Sequence, residues 1–289
     1  MSGARPQREG VMLAYPTEPG RVSRLGESFL VQPKLNGERA RVEWFHGEPI
    51  LLSSYANVIK GLDHIAEDLK NLAKVMGMAK FDGELYIHGK TWSEIMSICG
   101  RTVNEHPLAH TMQYHIFDIQ DEDRVQLDRA MMLMKYLKEK EDAFPSLRYV
   151  ETYAGNQGNW GEYAQTFVND GYEGIILRGL GAPYHYKRNV CLLKYKPTET
   201  DEYVIDEVLE AIDLEGNAKG MVGAFLVHGD DQTVFKVGAG KMKHSERIEL
   251  WEKRQLLTWC TLIVKHEKLR TVNDIPIAAV AVSLKGGNL

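Results

Sequence analysis

Four short segments of the chain carry side chains that could do chemistry together. The first, at 31–39, ends an apolar run at Lys34 and continues through a glycine-containing turn to Arg39. A lysine amine becomes a nucleophile when neighbouring cations or burial favour its neutral form. Taken alone, this segment is typical of a hairpin with an exposed lysine.

The other three segments contribute carboxylates and further cations. Glu84 belongs to an acid pair inside an otherwise apolar strand, and Glu173 directly precedes the apolar run 174–179. Lys194 and Lys196 are two residues apart, so they lie on one face of a single strand. Each of these features, taken alone, is typical of charged side chains that face water.

Strands are predicted to position all four segments. The predicted strands are 29–35 and 40–45, joined tightly at 36–38, and then 79–87, 113–119, 147–153, 174–179 and 190–196. Apolar residues at helical spacing predict a helix over 57–77, and a second helix is predicted at 127–140. Thr91 and Glu94 have capping-box spacing, which predicts a short helix that ends near Gly100. Mixed strands and helices without regular βαβ repetition predict an α+β fold.

The pattern changes at 197–201, where a proline opens a polar run that is typical of a linker. The strands predicted beyond it are 202–211, 223–228, 233–237, 261–266 and 277–284, with one helix at 245–257. Five strands and one helix in so short a stretch predict a small closed β-barrel such as the OB-fold. We therefore predict two domains, at 1–198 and 203–289.

Composition restricts the partners and the compartment. The 289 residues carry a net charge of -5, and neither predicted domain is basic, so any cations for nucleic acid must gather on one face. Charge alone favours a small-molecule enzyme. The three cysteines, Cys99, Cys191 and Cys260, are widely spaced and indicate neither a disulfide framework nor a zinc site, which predicts a reducing cytoplasm. No apolar run is long enough for a membrane span, and the polar N-terminus lacks a signal peptide.

In their order along the chain, the segments resemble the covalent nucleotidyltransferase superfamily, which comprises ATP-dependent DNA ligases, RNA ligases and mRNA capping enzymes. The resemblance covers nearly the whole chain, and the matching segments are 34–39, 81–84, 114–118, 173–174 and 193–196. In addition, 245–254 resembles the helix in the OB-fold domain of small bacterial and phage DNA ligases. The resemblance therefore implies a nucleotidyltransferase (adenylation) domain followed by an OB-fold, in an ATP-dependent DNA ligase.

The resemblance also implies roles for individual residues. Lys34 would attack the α-phosphate of ATP, and the implied catalytic residues are Lys34, Lys194 and Lys196. Glu84 would hold the ribose hydroxyls, Phe117 would stack on adenine, and Gln32 would lie near the adenine edge. The full set of nucleotide-binding residues that it implies is Gln32, Arg39, Glu84, Phe117, Lys194, Lys196 and Lys285. Glu173 would bind Mg²⁺ or another divalent cation, which prefers oxygen ligands.

Two motifs depart from the pattern of the superfamily. Ser54 is followed by Tyr55 where the superfamily usually has arginine. The proline-led run at 275–285 ends in Lys285, again in place of arginine, and lysine keeps the charge but loses the bidentate fork. Arg270 is the competing residue for this last role.

The predicted function is the sealing of nicks in double-stranded DNA by a monomer that clamps the duplex. The alternatives within the superfamily are an RNA ligase and an mRNA capping guanylyltransferase. A third alternative is an inactive nucleic-acid-binding protein that keeps the fold. Five residues argue against that last alternative, namely Lys34, Glu84, Glu173, Lys194 and Lys196.

Overall fold

The computed structural model describes residues 8–101, 103–229, 231–268, 270–271 and 275–285. Within these ranges the chain forms two units, one that ends at Tyr195 and one that begins at Lys196. The outer limits of the two predicted domains, residues 1 and 289, lie outside the described residues.

Two five-stranded sheets form the framework of the first unit. Its strands are β1 (Leu13–Pro16), β2 (Ser28–Lys34), β3 (Glu38–Phe45), β4 (Glu48–Ser53), β5 (Phe81–Tyr86), β6 (Gln113–Ile119), β7 (Leu147–Tyr149), β8 (Tyr153–Asn156), β9 (Gly174–Gly179) and β10 (Arg188–Tyr195). The first sheet has the order β1-β10-β9-β2-β8, and the second has the order β4-β3-β5-β6-β7. The pairs β1–β10 and β6–β7 are parallel, and the other neighbours are antiparallel.

The chain crosses between the two sheets at two places that the sequence did not reveal. β2 and β3 belong to different sheets, so the alternative of a simple hairpin around Lys34 is wrong. The single strand predicted at 147–153 is likewise two strands, β7 and β8, in different sheets. Three residues make each crossing, at 35–37 and at 150–152, and the first of them directly follows Lys34.

Helices cover the sheets of the first unit. They are α1 (Pro19–Val22), α2 (Asp63–Met76), α3 (Trp92–Cys99), α4 (Gln126–Tyr136) and α5 (Trp160–Asn169). Ile65, Leu69 and Leu72 of α2 are fully buried, which is the amphipathic face that the spacing predicted. The capping box of Thr91 and Glu94 at the start of α3 is confirmed. None of the helices in the described ranges is long and apolar enough to cross a membrane.

The predicted start of α2 at residue 57 is wrong. Val58 forms an isolated bridge with Leu52, next to β4, and the helix begins only at Asp63. Ile59 and Leu62 of the preceding loop pack against the same core as α2 and so continue its apolar spacing, whereas Val58 is exposed. The mixture of helices and mainly antiparallel sheets confirms the predicted α+β class.

The second unit is a closed five-stranded barrel. Its elements are β11 (Thr198–Ile212), β12 (Ala218–His228), β13 (Val234–Gly238), α6 (His244–Glu252), α7 (Arg254–Leu257), β14 (Thr261–Glu267) and β15 (Val280–Leu284). The strand order around the barrel is β11-β12-β13-β15-β14, and β11 closes it by pairing with β14. Phe225, Val237 and Leu262 are among the buried side chains that fill its interior. The predicted OB-fold is confirmed, with the predicted helix divided at Lys253.

The linker predicted at 197–201 is wrong over most of its length. Residues 198–201 are the first part of β11 and pair with β14, from Thr198 opposite Glu267 to Asp201 opposite Val264. The pairing with β14 satisfies backbone N–H and C=O groups of these residues, while most of their side chains face solvent. A polar sequence is therefore compatible with a strand here.

Candidate active site

Lys34 is the last residue of β2, at the point where the chain leaves the first sheet. Val31 on β2 is fully buried in the core, and Gln32 and Lys34 project from the opposite face because strand side chains alternate. The backbone N–H of Glu173 donates to the Lys34 carbonyl at 3.0 Å, which brings the start of β9 alongside. The Lys34 ammonium also contacts the Glu173 carboxylate, and the Glu173 side chain is only 7% exposed. The predicted nucleophile and the predicted metal ligand are therefore direct neighbours.

Arg39, near the start of β3, is held by a buried carboxylate that the sequence analysis assigned no role. Its Nε and Nη2 donate to the two oxygens of Asp82 at 2.9 and 2.5 Å, and Nη2 also donates to the Met12 carbonyl at 2.8 Å. The Tyr184 hydroxyl donates to the same carboxylate at 2.6 Å. Burial lowers the pKa of the Arg39 guanidinium, but the charge and hydrogen bonds of Asp82, helped by Tyr184 and Glu84, outweigh burial and raise the pKa overall. Arg39 is thus a fixed positive charge directly after the crossing that follows Lys34.

Glu84 on β5 accepts a hydrogen bond from the Gly37 N–H at 3.2 Å, in the crossing that follows Lys34. Burial raises the pKa of Glu84 to about 7, although the positive charges of Lys34 and Arg39 act in the opposite direction. A side chain at Gly37 would place its Cβ 2.1 Å from the Leu85 carbonyl oxygen, so only glycine fits at this approach.

Phe117 and Gln32, the two residues predicted to contact adenine, belong to one network. The guanidinium carbons of Arg39 and Arg178 lie 5.4 and 5.2 Å from the centre of the Phe117 ring. Gln32 is 2% exposed, and its amide nitrogen donates to the Phe117 carbonyl at 3.2 Å and to Thr152 Oγ1 at 2.9 Å. The Gln32 side chain is therefore held firmly beside Phe117.

Lys194 is on the same face of the first sheet as the nucleophile candidate. It pairs in register with Ile176 on β9, and Ile176 pairs with Gln32 on β2, so the three side chains project to one side. The first unit therefore brings together seven of the predicted site residues. These are Gln32, Lys34, Arg39, Glu84, Phe117, Glu173 and Lys194.

The remaining two predicted site residues belong to the second unit. Lys196 is its first residue and donates to Glu267 at 2.8 Å. Lys285 follows β15 and donates to Glu202 at 2.7 Å, with its side chain 59% exposed. Arg270, the competing candidate for the last motif, donates to Asp201 at 2.6 Å.

Buried charged residues that support the site were missed by the sequence analysis. Asp118, fully buried next to Phe117, accepts from Arg129 Nε at 2.8 Å and from Arg178 Nη1 at 2.7 Å. Asp82 is likewise a buried carboxylate and is the ion-pair partner of Arg39. A signal for both was present, since an acid inside an apolar strand is costly to bury without a cationic partner. The sequence does not reveal which arginine serves as that partner.

Comparison with known proteins identifies a family that matches most of this chain. Residues 11–196 match the family model of the ATP-dependent DNA ligase domain. A DNA ligase of African swine fever virus is 27% identical over 275 residues, which cover 89% of this chain and 63% of the viral protein. The chain thus spans less than two thirds of the length of this relative.

Two solved structures show the same fold. Pmar-Lig is 19% identical with a TM-score of 0.84, covering 97% of this chain and 68% of its own. A Lig E DNA ligase is 22% identical with a TM-score of 0.73, covering 96% of this chain and 99% of its own. With the motif residues gathered around Lys34 and most of the chain matched by the family model, the protein belongs to the ATP-dependent DNA ligase family.

Proposed function

We propose that this protein seals nicks in double-stranded DNA by three phosphoryl transfers. Lys34 takes AMP from ATP and pyrophosphate leaves. The AMP then passes to the 5′-phosphate at the nick, and the 3′-hydroxyl finally attacks that phosphate and releases AMP. The observation that carries the proposal is the position of Lys34, which ends β2 and contacts buried Glu173. The crossing at 35–37 follows it directly, Arg39 comes just after that crossing, and Glu84 accepts a hydrogen bond from Gly37 within it.

The charges around Lys34 suit such transfers. Lys34 attacks as the neutral amine, so its ion pair with Glu173 must open first. Arg39 is held in place by Asp82 and supplies a preorganised positive charge for phosphate oxygens. We assign further phosphate contacts to Lys194 and Lys196, and contact with the leaving pyrophosphate to Lys285. Energy is not spent on reorienting Arg39 during the reaction, because its partners already fix it.

The nucleoside would be held by groups on both sheets. We assign Glu84 as the acceptor for the ribose hydroxyls, since a carboxylate can accept hydrogen bonds from two donors. Phe117 offers its ring to the adenine, and Gln32 lies beside that ring. These assignments are the ones that the resemblance implied.

A divalent cation fits the donor set around Glu173. The described part of the chain contains no group of three or more histidine, cysteine or acidic side chains that could hold a metal alone. Mg²⁺ commonly binds through one or two carboxylates together with substrate phosphates, so Glu173 suffices as the protein ligand. When bound, the cation would neutralise charge on the phosphates.

We further propose that residues 1–198 act as the adenylation domain and 203–289 as an OB-fold that helps to clamp the duplex, in a monomer. The three cysteines are free thiols, and burial raises the pKa of Cys99 to about 12, so this thiol is not reactive near neutral pH. Free thiols fit a reducing compartment, and we propose the cytoplasm.

The test is incubation with α-labelled ATP, followed by addition of a nicked duplex. The label should first attach to the protein and then pass to DNA as the nick is sealed. Lys34→Ala and Lys34→Arg should form no adduct, because neither offers a neutral amine. Lys60→Ala, which removes an exposed lysine, is the matched control and should label normally. Labelling of Lys34→Ala at the wild-type level would contradict the assignment.

The same assay separates the alternatives within the superfamily. Nicked DNA, nicked RNA and RNA with a 5′-diphosphate end should be compared with ATP and with GTP. Sealing of nicked DNA with ATP supports the proposal. Transfer of GMP to the diphosphate end would indicate a capping enzyme, and a preference for nicked RNA would indicate an RNA ligase.

A further inference from the structure

The Gln32 amide has a single possible orientation in its network. On one side, the Phe117 carbonyl can only accept a hydrogen bond, so the Gln32 nitrogen must face it, at 3.2 Å. On the other side, Arg178 Nε can only donate, so Gln32 Oε1 must face it, at 2.6 Å. The usual ambiguity between the oxygen and nitrogen of a glutamine amide is therefore removed by its partners.

The same contacts determine what Gln32 can still offer to a ligand. Its two amide protons are used by the Phe117 carbonyl and Thr152 Oγ1, and one lone pair of Oε1 is used by Arg178. Within the described residues, this leaves one lone pair on Oε1. Gln32 can therefore accept one more hydrogen bond but cannot donate one.

Arg178 is itself held by buried charges and is 3% exposed. Its Nη1 donates to Asp118 Oδ2 at 2.7 Å, while Arg129 Nε donates to the other oxygen of Asp118 at 2.8 Å. Arg178 thus bridges Asp118 and Gln32 with two arms of one rigid guanidinium. Arg129 shares the carboxylate but makes no described contact with Gln32.

We propose that Arg178 determines base specificity by fixing Gln32 as an acceptor beside Phe117. Adenine presents an amino group at its sixth position, which can donate to Gln32 Oε1, whereas guanine presents a carbonyl oxygen that would face another acceptor. This inference rests on the proposed use of ATP at this site. Arg178 is a positioning residue, since it acts through Gln32 and not on the nucleotide.

The test compares Arg178→Lys with Arg129→Lys. Lysine at 178 keeps a cation for Asp118 but lacks the second arm that reaches Gln32. We expect Arg178→Lys to reduce the preference for ATP over GTP at least tenfold, in both equilibrium binding and adduct formation. The KM for ATP should rise more than kcat falls. Arg129→Lys disturbs the same carboxylate by the same substitution and should keep the wild-type preference.

Other results would decide against the inference. Wild-type preference in a folded Arg178→Lys variant, or an equal loss in both variants, would overturn it. If Arg178→Lys does not fold, Gln32→Met removes the acceptor itself and must show the same loss, since retained preference there also overturns the inference. The wild-type protein could bind ATP in preference to GTP, lose that preference in Arg178→Lys, and yet form no adduct. This result would contradict the proposed reaction but support the inference about Arg178.

Discussion

The raised pKa of Glu84 predicts a pH-dependent stability that can be traced to one carboxyl group. Burial moves its pKa from 4.5 to about 7, against the pull of Lys34 and Arg39 and with a small contribution from Glu173. Between these two pH values the folded protein binds a proton at Glu84 that the unfolded chain has released. Stability must therefore fall as pH rises through this window, and the loss is complete above about pH 7.

The size of this effect follows from the two pKa values. Each unit of pKa corresponds to about 1.4 kcal/mol, so the ionised Glu84 costs the folded state about 3 kcal/mol above pH 7. Glu84→Gln keeps the shape and cannot ionise. We expect the variant to match the wild type near pH 4.5 and to exceed its free energy of unfolding by about 3 kcal/mol at pH 8.

Urea unfolding at several pH values between 4.5 and 8 measures this difference directly. Glu122→Gln, at an exposed position, is the control and should leave the pH dependence as in the wild type. The reasoning is refuted if the curves of wild type and Glu84→Gln run parallel across this range. It is also refuted if the variant becomes less stable than the wild type as pH rises.

Three further predictions concern other charges. Asp82→Ala should lower the free energy of unfolding, measured in urea, by about 3–5 kcal/mol, because it leaves Arg39 without its buried partner. Glu43→Ala removes a partly exposed acid and should lower the free energy of unfolding far less. Lys285→Ala should slow adduct formation with ATP but spare sealing of a pre-adenylated nick, and equal loss of both steps would make the residue structural or a DNA contact. Sealing should fall steeply as salt rises while adduct formation without DNA changes little, and parallel salt curves would contradict this.

Much of the framework could be predicted from local patterns. The strands β6 and β9 have the predicted limits, and the capping box at Thr91 begins a helix as expected. These elements are specified by residues a few positions apart, which sequence reasoning can evaluate. The barrel could be predicted because its apolar strands are separated by clear turn residues.

The errors arose where long-range pairing decides the outcome. Nothing within 29–45 shows that β2 and β3 join different sheets. β3 has a local partner in β4, but both partners of β2, namely β8 and β9, and the second partner of β3, β5, pair with residues 40 or more positions away along the chain. The polar start of β11 was taken for a linker because its pairing with β14 comes from a segment 60 residues later. Helix α5 was missed because no element was predicted between the strands at 147–153 and 174–179.

The candidate site shows the same division. The types and order of Lys34, Glu84 and Glu173 could be recognised from the sequence. The partners that hold these residues could not be recognised, because the ion pairs Asp82–Arg39 and Asp118–Arg178 form only when the strands assemble. Arg178 in particular ends an ordinary apolar strand, where a surface position would have been the natural prediction.

The two short crossings limit how far the two sheets of the first unit can separate. Residues 35–37 follow the nucleophile directly, and residues 150–152 end at Thr152, which holds Gln32. A fully extended chain gains at most about 3.6 Å per residue, so three residues set an upper limit on how far the strand ends that each crossing joins can separate. A ligand that separated the sheets up to this limit would pull on the peptide that follows Lys34 and on Thr152, the partner of the Gln32 amide, at the same time. Insertion of one glycine into either crossing would allow the strand ends that it joins to separate further.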